Sequence, residues 1–224
     1  MKAKRPVPNL IYDPPDDPLR VLYVDEDLLV LSKPSGLLSV PGRGEHLSDC
    51  MSTRAQKEYP DALVVHRLDM ETSGVFLMAR NKAAQGHIGK QFEARTTNKY
   101  YITRVWGHVE EESGVIDLPM RCDWDNRPRQ MVCFEHGKNA VTEWKVLERE
   151  PNAITRLRLK PITGRSHQLR VHMEEIGYPM LGEVFYAHDA ARDAAPRLQL
   201  HAEMLEIEHP TTGERIIFTD PAPF

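Results

Sequence analysis

Apolar and polar positions along the chain resolve into short, closely spaced elements. Arg20 to Val24 and Leu28 to Leu31 are β-like runs parted by the charged triplet Asp25-Glu26-Asp27, which predicts a hairpin. Ser48 to Tyr59 reads as a helix, with Ser48 or Asp49 as its N-cap and Pro60 just past its end. A second helix is expected over Asn81 to Ala94, where Asn81 caps the first turn and Ala84, Ile88 and Phe92 recur every four residues on one face. Lys99 to Trp106 is rich in β-branched and aromatic residues and predicts a strand, with Lys99, Tyr101, Thr103 and Val105 on one side of it. Alternation returns in Ala140 to Val146 and in Ile154 to Lys160, where Leu157 and Leu159 interleave with Arg156, Arg158 and Lys160. A third helix is expected from Ser166 to Ile176, capped by Ser166, ended at Gly177, and burying Leu169, Met173 and Ile176. Strands near Leu198 to Ile207 and Arg215 to Thr219 complete the pattern. Strands outnumber helices, and many are near enough in sequence to pair antiparallel. The expected fold is therefore α+β, a long mixed or antiparallel sheet with a few helices packed on it. Residues 1–18, rich in Pro and Asp and without periodicity, read as an N-terminal arm ahead of one domain over 19–224.

Composition narrows the class. With 224 residues, 41% hydrophobic and 28% charged, the chain is an ordinary globular one with enough length for a sizeable core. Cys50, Cys122 and Cys133 match neither a disulfide framework nor a C-x-x-C metal knuckle, which points to a reducing compartment. The basic start, Met1-Lys2-Ala3-Lys4-Arg5, is followed by Pro6, Pro8 and Asp13-Pro14-Pro15-Asp16-Asp17 where a signal peptide needs an apolar run. No later run reaches the length of a membrane span, so a cytoplasmic protein without membrane contact is expected. The net charge of -4 does not advertise a nucleic-acid partner. Its distribution does more: Arg80, Lys82, Lys90, Arg95, Lys99 and Arg104 are accompanied only by Glu93, and Arg156, Arg158, Lys160, Arg165 and Arg170 lie in a stretch without an acid. Charge clusters are ordinarily solvated faces, and two acid-poor segments also suit a polyanion-binding face.

Two polar blocks carry candidate chemistry. His66-Arg67-Leu68-Asp69-Met70-Glu71-Thr72-Ser73-Gly74 lies between the apolar runs Leu63-Val64-Val65 and Val75-Phe76-Leu77-Met78. Its Asp, Thr, Ser and Gly are turn formers, yet a plain turn needs neither Arg67 nor the two carboxylates of Asp69 and Glu71. The second block is Thr163-Gly164-Arg165-Ser166-His167-Gln168-Leu169-Arg170-Val171-His172. Leu169 faces the core, so Arg170 lies near the buried edge of its helix and calls for a carboxylate: Glu174 locally, or Asp69 functionally. No histidine spacing completes a metal site, and no acyl-transfer elbow, Walker loop or dinucleotide fingerprint is present. Chemistry without metal or cofactor is expected.

Together the blocks resemble the RluA family of pseudouridine synthases, whose signatures H-R-L-D-x-x-T-S-G and G-R-x-H-Q-[LI]-R-x-H they match. The likeness extends through Lys33-Pro34-Ser35-Gly36, Lys99-x-Tyr101, Leu181-Gly182, Leu200-His201-Ala202 and His209-Pro210. It implies the pseudouridine synthase fold with an RNA-binding cleft, and isomerisation of uridine to pseudouridine in tRNA and 23S rRNA; nothing in that mechanism requires more than a monomer, and a monomer is expected. Asp69 would be the essential carboxylate, Arg170 its arginine partner and Tyr101 the ring against the target uracil. RNA would be contacted by Arg67, which fills the space a flipped base leaves, and by His66, Lys99, Arg165 and His167. Two positions depart from the family pattern, Glu183 where Asp is usual and Thr103 where Ala is common, and neither is expected to touch the catalytic strings. The arm is too short for the S4 RNA-binding domain that many relatives carry. A non-catalytic RNA-binding relative, or a glycosidase-type hydrolase pairing Asp69 with Glu71, are the alternatives.

Overall fold

A computed structural model describes residues 11–224, and these form two compact units, one built on Ile102–Gln199 and the other on Tyr12–Tyr101 with Leu200–Phe224. In chain order the first elements are β1 (Arg20–Val24), β2 (Leu28–Lys33), α1 (Met51–Glu58), β3 (Leu63–Val64), β4 (Ser73–Ala79), α2 (Lys82–Ala94) and β5 (Asn98–Trp106). There follow β6 (Ser113–Asp117), β7 (Met120–Cys122), β8 (Gln130–Val132), β9 (Val141–Glu150), β10 (Ile154–Pro161) and α3 (Gln168–Glu175). Helix α4 (Asp189–Asp193) and strands β11 (Leu200–Glu208) and β12 (Arg215–Thr219) complete the set.

In the unit formed by both ends of the described chain, strand order is β1-β2-β4-β11-β5, with β3 attached to β4 and β12 to β11. Strands β4 and β11 run parallel, while β1–β2, β2–β4, β3–β4 and β11–β12 are antiparallel, so the sheet is mixed. Strand β4 is buried throughout, and the apolar runs of β2 and β4 are those of strands covered on both faces. Because successive residues point to opposite faces, Leu28, Val30, Val75 and Leu77 meet Ala84 and Ile88 of α2, while Leu29, Leu31, Phe76 and Met78 meet Met51 and Ala55 of α1. The β1–β2 turn is fixed by Asp25, whose Oδ1 accepts the N–H groups of Asp27 and Leu28 and whose Oδ2 lies 2.7 Å from Tyr23 Oη and 2.9 Å from His209 Nε2. The Nδ1 of His209 accepts the N–H groups of Thr211 and Thr212, which leaves Nε2 to donate to Asp25.

The other unit has strand order β5-β10-β9-β6 and a separate β7–β8 pair. Strand β10 alternates as its sequence requires, with Thr155, Leu157, Leu159 and Pro161 buried. Helix α3 differs from expectation. It begins at Gln168 after His167 in a left-handed conformation (φ 53°), and Gln168 through Met173 are all buried rather than forming one stripe. Its polar residues tolerate this because each has a partner: the Gln168 amide bonds Val141, Thr142 and Thr163, and His172 bonds Thr142 Oγ1 and the Leu118 carbonyl. Helix α1 is also shorter than expected. Cys50, not Ser48 or Asp49, is its N-cap, because Asp49 is held by Arg54 and Thr53 Oγ1 takes the Cys50 N–H. Residues 1–10 of the expected arm lie outside the described residues; within the rest of it, Tyr12 Oη donates to the Asp49 carbonyl and Arg54 to that of Pro15.

Two stability outcomes follow. A Cβ added at Gly86 or Gly89 meets nothing within 4 Å, and both lie inside α2. Each glycine therefore costs helix propensity without a packing return, and Gly86→Ala and Gly89→Ala should each raise the unfolding free energy by about 0.5–1 kcal/mol in urea titrations. A lower midpoint would show that the glycines serve the fold. For Asp25, burial opposes ionisation, but hydrogen bonds from Tyr23, His209, Leu28 and Asp27 outweigh it and hold the carboxyl below its ordinary range. A lowered folded-state value means stability that is present above the unfolded value and lost as pH falls through the folded one. The stability gap between wild type and Asp25→Ala should therefore be widest near neutrality and narrow on acidification below the ordinary carboxylate range; a gap independent of pH would contradict it.

Candidate active site

Asp69 lies in the loop joining β3 to β4, and the chain on both sides of it is anchored. Lys33, fully buried at the end of β2, points its ammonium at three carbonyl oxygens, of Pro34 (2.8 Å), Leu37 (2.5 Å) and Met70 (2.8 Å). The Gly36 N–H reaches the same Met70 carbonyl at 3.0 Å. On the other side, Ser39 Oγ donates to the Leu68 carbonyl (2.7 Å) and accepts the Leu68 N–H (3.0 Å). The loop closes through a bond from the Thr72 N–H to the Asp69 carbonyl. Gly74, at φ 110°, brings β4 against β11, and a Cβ there would lie 2.3 Å from the Ala202 carbonyl oxygen. Asp69 is thus a half-buried carboxylate whose immediate neighbours have one position each, the condition for aiming a reactive group.

Tyr101 packs against the cluster that contains Leu68 and Ala202. Its burial and the Asp69 carboxylate both push its phenol well above the ordinary tyrosine value, so the ring carries a neutral hydroxyl near the negative charge. Glu71 is turned to another task, with Oε2 accepting from Ser35 Oγ at 3.2 Å, and the pairing of Asp69 with Glu71 in a glycosidase loses its support. Arg67 is exposed.

His66 does not fit the role of an RNA contact. Its Nε2 accepts the Leu77 N–H at 2.9 Å, taking over from β3, which ends at Val64, and its ring stacks on Phe92 and meets Phe76. Burial, and then the nearby Lys99 ammonium, lower its pKa to about 3. It is a neutral strut, not a cation. Lys99, also depressed by burial and by Arg95, holds its ammonium 5.8 Å from the Phe92 ring centre.

In the other unit Arg170 is buried and pairs with Glu183. Nε and Nη2 of the guanidinium meet the two carboxylate oxygens at 2.5 and 2.8 Å, and Oε1 also accepts the Phe185 N–H at 2.7 Å. The guanidinium carbon sits 5.3 Å from the Phe185 ring centre and 5.7 Å from that of Tyr186. Burial works against the Glu183 charge, but Arg170 and the Phe185 N–H hold the carboxyl below its ordinary range. The expectation that Glu183 stands clear of the catalytic strings is overturned. His167 stacks on Phe185 and lies 2.6 Å from Tyr186 Oη through Nδ1, while Arg165 Nε donates to the Asn139 carbonyl.

The two basic segments are less basic in space than in sequence. Arg80 pairs with Asp61, Arg104 with Glu150 and Lys160 with Glu143, and the β9–β10 register sets Arg156 opposite Glu148. Exposed cations in the Asp69-bearing unit include Arg67, Lys82, Lys90 and Arg95. Among the described residues no group of His, Cys, Asp and Glu is arranged to hold a metal ion, and no helix is long and apolar enough to cross a membrane. The three cysteines are free thiols.

Residues 27–175 match the family model described as RNA pseudouridylate synthase. The chain is 55% identical over 214 residues to the dual-specificity RNA pseudouridine synthase RluA of Escherichia coli O157:H7, covering 95% of this chain and 98% of that protein. It is 53% identical over 204 residues to the Yersinia pestis protein of the same name, covering 91% and 99%. Among solved structures, human RNA pseudouridylate synthase domain containing 1 aligns with a TM-score of 0.77 at 31% identity, over 92% of this chain and 84% of that one. The matched stretch contains Asp69, Tyr101 and Arg170, and the chain belongs to the RNA pseudouridylate synthase family.

Proposed function

We propose that this protein converts specific uridines of structured RNA to pseudouridine, with the tRNA anticodon stem-loop and a 23S rRNA hairpin as its two substrate classes. The observation that carries the reading is Asp69, a half-buried carboxylate on a loop clamped at Leu68 and Met70, with the neutral Tyr101 phenol in its field. Isomerisation breaks the C1'–N1 glycosidic bond, turns the uracil and joins C5 to C1', after which the C5 proton is lost. Positive character builds at C1' as the bond breaks, and Asp69 answers it by attack, by electrostatic stabilisation or by removing a neighbouring proton. Tyr101 lies along the uracil ring; its raised pKa favours a positioning role over action as a phenolate base. Arg170 is the arginine that the family resemblance assigns to the reaction. A uridine in a folded loop must leave its stack to react, at a cost of a few kcal/mol, and exposed Arg67 fills the space it vacates. Lys99, Arg165 and His167 supply further RNA contacts, and residues 19–224 act as one catalytic domain in a cytoplasmic monomer that uses neither metal nor cofactor. The relatives named RluA, 55% identical over nearly the full length, support the dual substrate range.

Transcripts of tRNA and 23S fragments carrying tritium at uridine C5 should release it to water with wild-type protein. Asp69→Ala should lower the single-turnover rate by roughly 10³-fold or more, the scale of losing an essential catalytic group, while RNA affinity stays near wild type. Silence from the wild type on both RNA classes would refute the activity. Binding should weaken with salt while the rate at saturation does not, and Arg67→Ala should reduce the slope of log affinity against log salt by about one if it meets a phosphate. An affinity indifferent to salt would remove phosphate contacts from the reading.

A further inference from the structure

We propose that Glu183 is a positioning residue for the reaction, acting through Arg170. The inference rests on the activity proposed above. A guanidinium is a planar fork whose N–H directions are fixed once one edge is bound. Here the Nε/Nη2 edge is bound by both Glu183 oxygens, and Glu183 is itself tied to the Phe185 N–H two residues on. Phe185 and Tyr186 place rings beside the guanidinium carbon, and His167 stacks on Phe185 and bonds Tyr186. The two N–H groups of the outer edge, one on Nη1 and one on Nη2, then point in one direction for the acceptor that Arg170 serves in the reaction.

Charge adds a second argument. Side-chain exposures of 2% and 1% leave this pair almost without solvent, so Glu183 cancels most of the Arg170 charge at long range. What Arg170 offers the reaction is a directed hydrogen bond more than a diffuse field, and direction is what Glu183 sets. The glutamate length matters: its carboxylate spans both the guanidinium and the Phe185 N–H, a reach one methylene shorter in aspartate.

The test compares single-turnover tritium release and RNA affinity at a temperature where circular dichroism shows each variant folded. Glu183→Gln should lower the rate constant about 10–100-fold with affinity within about twofold of wild type, as expected when only transition-state geometry is lost. Glu183→Asp, which keeps the charge, should return to within about fivefold of wild type, and on an Arg170→Met background Glu183→Gln should cost less than about twofold, because the route through Arg170 is already gone. A folded Glu183→Gln with the wild-type rate overturns the proposal, as does an equal further loss on both backgrounds. If Glu183→Gln does not fold, Glu183→Asp carries the test: its smaller loss must vanish on Arg170→Met, and persistence there overturns the proposal. A wild type that releases no tritium refutes the activity itself, a result distinct from an active enzyme indifferent to Glu183.

Discussion

A fully buried ammonium organises the Asp69 loop. Lys33 ends β2 inside the protein, where an ion lacking close polar partners would be costly, and its Nζ is ringed by the carbonyls of Pro34, Leu37 and Met70. Those carbonyls belong to two segments far apart in sequence, so satisfying one charge welds the 34–37 turn to the loop that bears Asp69. The Ser39 hydroxyl repeats the weld at Leu68 and the Gly36 N–H doubles it at Met70. The loop is consequently defined by its backbone, which sets where the Asp69 side chain starts.

The same economy runs through β2 and β4. Their alternate residues fill two cores, one under α1 and one under α2, so neither strand can slip by one residue without exchanging the contents of both. The register that results places Gly74 opposite both Lys33 and Ala202, at the point where β11 joins β4 in parallel. Two cores fix the register, the register fixes Gly74, and Gly74 ends the Asp69 loop against a strand from the far end of the chain.

Local pattern was legible in the sequence and distant partnership was not. The β1–β2 hairpin, α2 with its Asn81 cap, the alternation in β10 and the loop between the apolar runs of β3 and β4 all follow from periods and turn residues that lie within a dozen positions. Strands β6 to β8 and helix α4 are too short to show a period. Adjacency of His66 to Arg67 and Asp69 in the string says nothing about a ring that turns inward to take the Leu77 N–H. The basic segments look more basic in the string than they are, because Asp61, Glu143 and Glu150, which neutralise part of them, are brought across by strand pairing and loop packing.

Glu183 is the instructive omission. An arginine at the buried edge of a helix calls for a carboxylate, and i+4 spacing offers Glu174, since a surface helix pairs residues one turn apart. Helix α3 is not a surface helix: it is buried on nearly every side around Arg170, and the turn after Leu181-Gly182 brings a carboxylate to it from another part of the unit. Gly182 is part of the reason that turn comes so close. At φ 73° its absent Cβ would lie 1.9 Å from the Arg197 carbonyl oxygen, so the backbone passes where only glycine fits and sets Glu183 down against the guanidinium. A Leu-Gly-acid string that looks like a surface turn in sequence is in the structure the support of a buried arginine, and the acid in it follows from the ion it must face.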